Sequence, residues 1–434
     1  MRNQIAIISL LTIVSQLAAF FKLWFTARIF GVGPEMDGYS LSIVVPTMVA
    51  GVVAGVLQTG LFPVRAKLNV TGSYAEVSAF ERSVLLVMAG AGGVFSLMLV
   101  VGSPFVLEIL AASAPASVLT SLAFAYPFAA TLVMLNLIGD SCGYLLAMRN
   151  RFAIAAAAPI ANGVLGASLL AAWPEGGLLN LIGGTVLGLA LQVFICLWGL
   201  KSTGFTFFGE LPAWEKIKQL WREMLMLGGW ILPGVMFSNL IVSLPPLWAA
   251  KYGEGAVSAF GYAYRLHSSA LQLLVIASST VVLAHFSDLV ARNDAAAVRN
   301  TLVKAGAVSA VIGGLGIFMV WAFGAASLEW LFGGRFDAAA AERVSSHWLL
   351  LTLSLPFAML GNVFAKLFQA QKRPLMMSLL VFVSFPLIYI SYFSISPLIG
   401  EFSIALALVI GSVGSLLIGF FAVKHKFIFG VKQF

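Results

Sequence analysis

Charge is the scarcest ingredient of this 434-residue sequence: Asp, Glu, Lys and Arg together make up 10%, against roughly 25% in soluble domains. With 60% of the residues hydrophobic, a water-soluble fold of this composition would aggregate. Cysteine is almost missing as well. Cys142 and Cys196 both fall inside apolar runs without the spacing of a metal or redox motif, so they read as small packing residues. The four histidines, His267, His285, His347 and His425, are scattered without a ligand pattern, and no Walker loop is present. Nucleotide hydrolysis and metal catalysis therefore find no support, and neither an enzyme nor a cofactor is expected. The alternating ten-residue patterns of a β-barrel are also lacking.

What the sequence has instead is a succession of apolar runs, each long enough to cross a hydrocarbon core of roughly 30 Å as a helix. They fall at 4–27, 38–62, 83–107, 117–147, 152–173 and 177–200, then at 225–250, 256–285, 304–328, 345–370, 375–395 and 402–423. The expected fold is an all-α, polytopic integral membrane protein of about twelve spans. The first run is longer than the apolar part of a signal peptide and contains Lys22, so it reads as a permanent span.

The net charge of +8 would suggest nucleic acid as a partner in a soluble protein, but here the bases sort by loop. Arg28, Lys251, Arg335 and Arg343 fall on one side, and eighteen other loop Lys and Arg residues on the opposite side. That bias marks membrane orientation and puts both termini in the cytoplasm. Residues 212–223 carry Trp214, Lys216, Lys218, Trp221 and Arg222, which suits either a short amphipathic helix on the cytoplasmic surface or a plain linker.

Compared with itself at an offset of 222 residues, the chain shows a weak repeat. Phe30-Gly31-Val32-Gly33 falls on Tyr252-Gly253-Glu254-Gly255, and Leu146 to Arg151 falls on Phe368 to Arg373. The expected organisation is an N-terminal six-helix lobe over 1–210, a linker over 211–224 and a C-terminal six-helix lobe over 225–434. Six spans per lobe make them parallel repeats, the plan of an alternating-access transporter.

Polar residues inside spans are costly and normally face a bundle interior or a watery cavity. At 100° per residue, Thr12, Ser15, Gln16, Lys22 and Thr26 share about a third of the first helix circumference. Ser258, Tyr262, Arg265, Ser269, Gln272 and Ser279 do the same in the eighth span. Facing each other, the stripes would line a cationic cleft containing Lys22 and Arg265, suited to an anionic substrate. Arg28 lies on a different face near the span end, where it either contributes to the site or snorkels to the interface. Asp140 and Asn136 share a face of the fourth span, as Asn362 and Lys366 do in the tenth. Asp140, with Asp37 in the loop after the first span, is a candidate for gating or coupling.

Several segments resemble one known family. Ser15-Gln16, Ala27-Arg28-Ile29-Phe30-Gly31-Val32-Gly33 with Asp37, Asn150-Arg151-Phe152-Ala153 with Pro159-Ile160 and Asn162, Gly255-Ala256-Val257-Ser258 with Tyr262-Ala263-Tyr264-Arg265-Leu266, and Leu331-Phe332-Gly333-Gly334-Arg335-Phe336 follow the order of the MurJ/MviN lipid II flippases. That family lies within the MATE-like flippase superfamily. The resemblance implies two six-helix lobes around a cationic cavity, working to flip an undecaprenyl-pyrophosphate glycolipid outward across the bacterial inner membrane. Arg265 matches a cavity arginine of the family. Lys22 stands where a second arginine is usual and Gln16 where another lies, while Met48 to Leu57 carries none of the family's charges.

The implied substrate is a lipid-linked anionic glycan, either lipid II or a polysaccharide repeat unit, with Lys22, Arg28, Arg265, Gln16 and Gln272 as binding residues. Membrane lipid and glycan-synthesis proteins are the other implied partners, and a coupling ion or the membrane potential supplies the driving force. Two further readings stay open. A cation-coupled multidrug antiporter on the same fold would use Asp140 as its intramembrane carboxylate. The third is a non-transporting membrane scaffold for glycan synthesis.

Overall fold

The computed structural model describes residues 2–111, 114–208 and 214–429, with side chains over 7–110, 114–208, 215–274, 282–373 and 376–423. Among them there is no β-strand. The helices are α1 (Arg2–Phe30), α2 (Pro34–Ser42), α3 (Val44–Thr71), α4 (Tyr74–Val101), α5 (Ser103–Ala111), α6 (Ala116–Ala130), α7 (Leu132–Met148), α8 (Phe152–Ala172) and α9 (Gly177–Lys201). They continue as α10 (Trp214–Ala249), α11 (Ala256–Ala291), α12 (Ala295–Phe332), α13 (Ala338–Thr352), α14 (Leu355–Ala370), α15 (Pro374–Ile399) and α16 (Phe402–Phe429). Leu10, Phe21, Phe194, Trp230, Trp321 and Phe421 are exposed although strongly apolar, as the lipid-facing side of a membrane protein requires.

Ten helical stretches among the described residues are long and apolar enough to span a membrane, or eleven when α13 and α14, bent by 40° at their junction, count as one. The expected twelve are thus not all recovered. The expected span over 256–285 falls on α11 (Ala256–Ala291), whose side chains over 275–281 lie outside the described residues, so it does not enter that count.

The repeat is visible element by element. Pro34 and Ala256 open α2 and α11, Ala116 and Ala338 open α6 and α13, and Phe152 and Pro374 open α8 and α15, each pair 222 residues apart. Breaks recur too, α6 to α7 at Thr131 and α13 to α14 at Leu353 and Ser354. The turns after α7 and α14 are copies of one another. Asn150 and Lys372 adopt φ of 60° and 54°, while the Arg151 and Arg373 N–H groups reach back to the carbonyls of Leu146 and Phe368 at 2.8 and 2.9 Å. This is the helix-ending pattern in which a left-handed residue lets the next amides satisfy orphan carbonyls.

By its contacts the chain forms two compact units, Met1–Val257 and Ser258–Phe434. Helix α10 is the sequence counterpart of α1, yet it packs along α3. Glycines allow that approach: a Cβ on Gly60 would meet the Met224 carbonyl oxygen, and one on Gly228 the Val56 carbonyl oxygen. Residues 209–213 lie outside the described residues. From Trp214 onward the expected surface helix is instead the first turns of α10, continuous to Ala249. On its first turns Lys216 pairs with Glu76, Glu223 pairs with Lys67 at 3.0 Å and Trp221 donates to Ser83 at 3.1 Å, while Lys218 and Arg222 are exposed.

Helices α1, α8 and α9 form a closely stacked layer. A Cβ on Gly163 of α8 would lie 2.6 Å from the Ala18 carbonyl carbon, and one on Gly188 of α9 would lie 2.8 Å from the Asn162 Cα. Backbone cannot swing aside as a side chain can. Gly163→Ala is therefore expected to lower stability by about 1–3 kcal/mol through overpacking, read as a lower melting temperature of the purified protein in detergent. An unchanged melting curve would mean that α1 and α8 slide apart freely.

Candidate functional site

Within the first unit, Lys22 is half-buried and turned toward α8 and α9. Its Nζ donates to Thr185 Oγ1 at 2.9 Å and to Asn162 Oδ1 at 3.4 Å. The Thr185 hydroxyl also hydrogen-bonds the Tyr39 hydroxyl at 2.9 Å. Gly166 provides the passage for the lysine stem, since a Cβ there would stand 2.8 Å from Lys22 Cδ and Cε. The ammonium is thus solvated by hydroxyl and amide oxygens of its own unit, and a charge-assisted set of this kind fixes a cation in place.

The other candidates on α1 are less enclosed. Gln16 is half-buried, and Arg28 is exposed with its guanidinium 5.4 Å above the Trp24 ring. Thr12 and Thr26 donate to the carbonyls of Ile8 and Lys22, one turn back on their own helix. Asp37 is wholly buried, and its Oδ2 accepts the Gly255 N–H at 2.6 Å. That contact ties α2 to the segment joining α10 and α11. Asp140 is half-buried on α7.

In the second unit Arg265 is half-buried on α11, and its guanidinium makes no ion pair or hydrogen bond among the described residues. Gln272, two turns further on, is exposed. The Ser279 side chain lies outside the described residues. An apolar cavity of about 290 Å³ opens in the same unit, bounded by His267, Met319, Phe323, Trp348 and Thr352. His267 Nε2 shares a hydrogen bond of 3.2 Å with Ser354 at its edge.

Two charged clusters went unnoticed in the sequence. In the first unit Glu81, wholly buried at the start of α4, takes Arg65 Nε at 3.0 Å on one oxygen and Arg149 Nε at 2.9 Å on the other. Arg149 also donates to Thr203 Oγ1 at 3.0 Å and lies 5.1 Å over the Phe205 ring. In the second unit Arg343 engages Glu401, with His347 alongside. Scarcity was the usable signal, because with 17 acids against 25 bases any acid flanking a span is a candidate for pairing.

The chain is a many-spanned helical bundle with an internal repeat and cations inside its spans, and solved membrane proteins share this fold. The fold is similar to that of lipid II flippase MurJ in an inward closed conformation, with a TM-score of 0.82 at 17% identity over 96% of this chain and 87% of that one. It is also similar to an inward-facing multidrug resistance MATE family transporter of the MOP superfamily, with a TM-score of 0.77 at 13% identity over 96% and 98% of the two chains. A MOP superfamily transporter from Pyrococcus furiosus matches with a TM-score of 0.67 at 12% identity over 99% and 96%. No curated protein matches the sequence. The family model of lipid II flippase MurJ matches residues 26–433. The chain therefore belongs to the MurJ lipid II flippase family, a family of transporters and not of enzymes.

Proposed function

We propose that this protein flips a polyprenyl-diphosphate-linked saccharide, either lipid II or a polysaccharide repeat unit, across the bacterial inner membrane by alternating access. Both termini face the cytoplasm, and the helical lobes 1–210 and 225–434 are the moving parts. The observation that carries this reading is Arg265. A cation within a membrane helix is expensive unless something anionic meets it, and no acid among the described residues does. A diphosphate is the anion that guanidinium geometry fits, through paired charge-assisted hydrogen bonds.

On this reading Arg265 and Gln272 contact the headgroup from α11. Gln16, Lys22 and Arg28 contact it from α1 during the cycle, and Asp37 and Asp140 control opening. The Lys22 ammonium already has oxygen partners in its own unit, so exchanging them for phosphate oxygens is a step in transport. Membrane lipid and glycan-synthesis proteins are its other partners.

Two measurements test this. Purified protein in liposomes should move fluorescent lipid II or a polyprenyl-diphosphate-linked repeat unit between leaflets, and a lack of flipping for both would reject the function. The gene should also rescue cells depleted of their lipid II flippase if lipid II is the cargo. Failure to rescue, with flipping of the repeat unit intact, assigns the polysaccharide unit.

A further inference from the structure

His347, on α13 in the second unit, is wholly buried, and neither ring nitrogen has a hydrogen-bond partner among the described residues. The nearest acid is Glu401, which with Gly400 forms the turn between α15 and α16. Its Oε1 lies 3.8 Å from His347 Nε2, beyond hydrogen-bond length but close enough for a charge on the ring to be felt. Glu401 is gripped by Arg343, whose Nε and Nη2 reach the two carboxylate oxygens at 3.0 and 2.6 Å. Burial pushes the Glu401 carboxyl up, but His347 and Arg343 outweigh burial and hold it at about 2. Arg343 donates one hydrogen bond to each Glu401 oxygen, and Oε1 can accept a second from the His347 side.

The surroundings add no competing charge. Phe260 of α11 stands edge-on to the ring at 6.0 Å, and Phe402 of α16 lies at 4.9 Å. On α13 itself, Glu342 is exposed, and the single acid of α12, Glu329, is exposed too. Arg343 and Glu401 are therefore the charged groups that face His347 among the described residues. Phe260 lies just over one turn before Arg265 on α11, so the ring touches the helix that carries the proposed substrate cation.

We propose that His347, with Glu401 and Arg343, is a proton-binding site that couples proton uptake to the posture of α11. A proton taken up at Nε2 is donated to Glu401 Oε1 as a hydrogen bond. Closing the 3.8 Å gap draws α13 toward the turn between α15 and α16 and shifts the ring against Phe260. The link to transport rests on the flippase reading, whereas proton binding itself does not depend on any cargo.

The test uses the full-length protein in nanodiscs with carbon-13-labelled histidine. The chain has four histidines, and His347→Gln assigns the signal. If His347→Gln does not fold, replacing the other three by glutamine assigns it instead. With no cargo present, the His347 resonance is expected to change protonation form reversibly between about pH 5 and 8, and Glu401→Gln should disturb that change. A resonance that keeps one form across the range overturns the proposal.

In proteoliposomes, the wild-type flipping rate should vary at least about threefold over the same range and His347→Gln should be flat. Superimposable pH profiles of the two proteins would overturn the coupling. Absence of flipping at every pH would fail the cargo reading alone, and the resonance then decides the proton site.

Discussion

Arg265→Gln should slow flipping of a polyprenyl-diphosphate-linked saccharide at least about a hundredfold while leaving the protein as stable as before, or more so. The kinetic half follows from what a lost charge partner costs. Removing one member of a desolvated charge pair typically costs 2–5 kcal/mol or more, and each 1.4 kcal/mol is a factor of about ten. The stability half follows from the resting protein, in which Arg265 has no ion pair among the described residues. An uncompensated cation in a membrane helix destabilises, so its removal relieves a cost instead of breaking a bond. Arg265→Lys should fall between, because lysine keeps the charge but loses the planar fork that grips two phosphate oxygens. Liposome flipping rates and melting temperatures of the three proteins decide the matter. Unchanged flipping in Arg265→Gln, or a large loss of stability, would reassign Arg265 as a packing residue.

The features legible in the sequence are those where backbone geometry restricts residue choice. The 222-residue repeat showed through Gly31 and Gly253 because both hold φ values, 60° and 91°, that side chains rarely adopt. On α11 the 100° spacing groups residues that differ in burial, for Ser258 and Tyr262 are buried, Arg265 is half-buried and Gln272 is exposed.

The helical wheel was less informative for α1. It grouped Thr12, Ser15, Gln16, Lys22 and Thr26, but a wheel does not say which neighbour a stripe meets. The two threonine hydroxyls are spent on their own helix backbone, so they carry little information about a cavity. Lys22 turns into its own unit because Gly166 leaves room for the stem and because Thr185 and Asn162 supply oxygens. Those partners lie 140 and 163 residues away in the chain, which no local pattern reveals. For the same reason Glu81 was invisible: its partners Arg65 and Arg149 sit 16 and 68 residues away, and a glutamate beside an arginine near a helix start reads as an ordinary solvated end.

Glu81 should prove the most sensitive charge for folding. Its carboxylate is completely inaccessible, and the side chains of Arg65 and Arg149 are only 15% and 9% exposed. Glu81→Gln keeps the shape but leaves two guanidinium groups facing each other without their counter-charge. Breaking a buried ion pair in this way costs about 3–5 kcal/mol, enough to remove much of a protein's net stability. Arg65→Gln should cost less, because Arg149 still compensates the carboxylate and fixes residues 203 to 205 through Thr203 and Phe205. Replacing all three by apolar residues of similar volume should recover most of the loss, since a buried ion cluster exchanged for well-packed apolar side chains is often neutral. Thermal melts and protease sensitivity of the segment after α9 separate these cases. A Glu81→Gln protein that melts with the wild type, its Thr203 to Phe205 segment still protected, would show that the two arginines find water and that the cluster is ornamental to the fold.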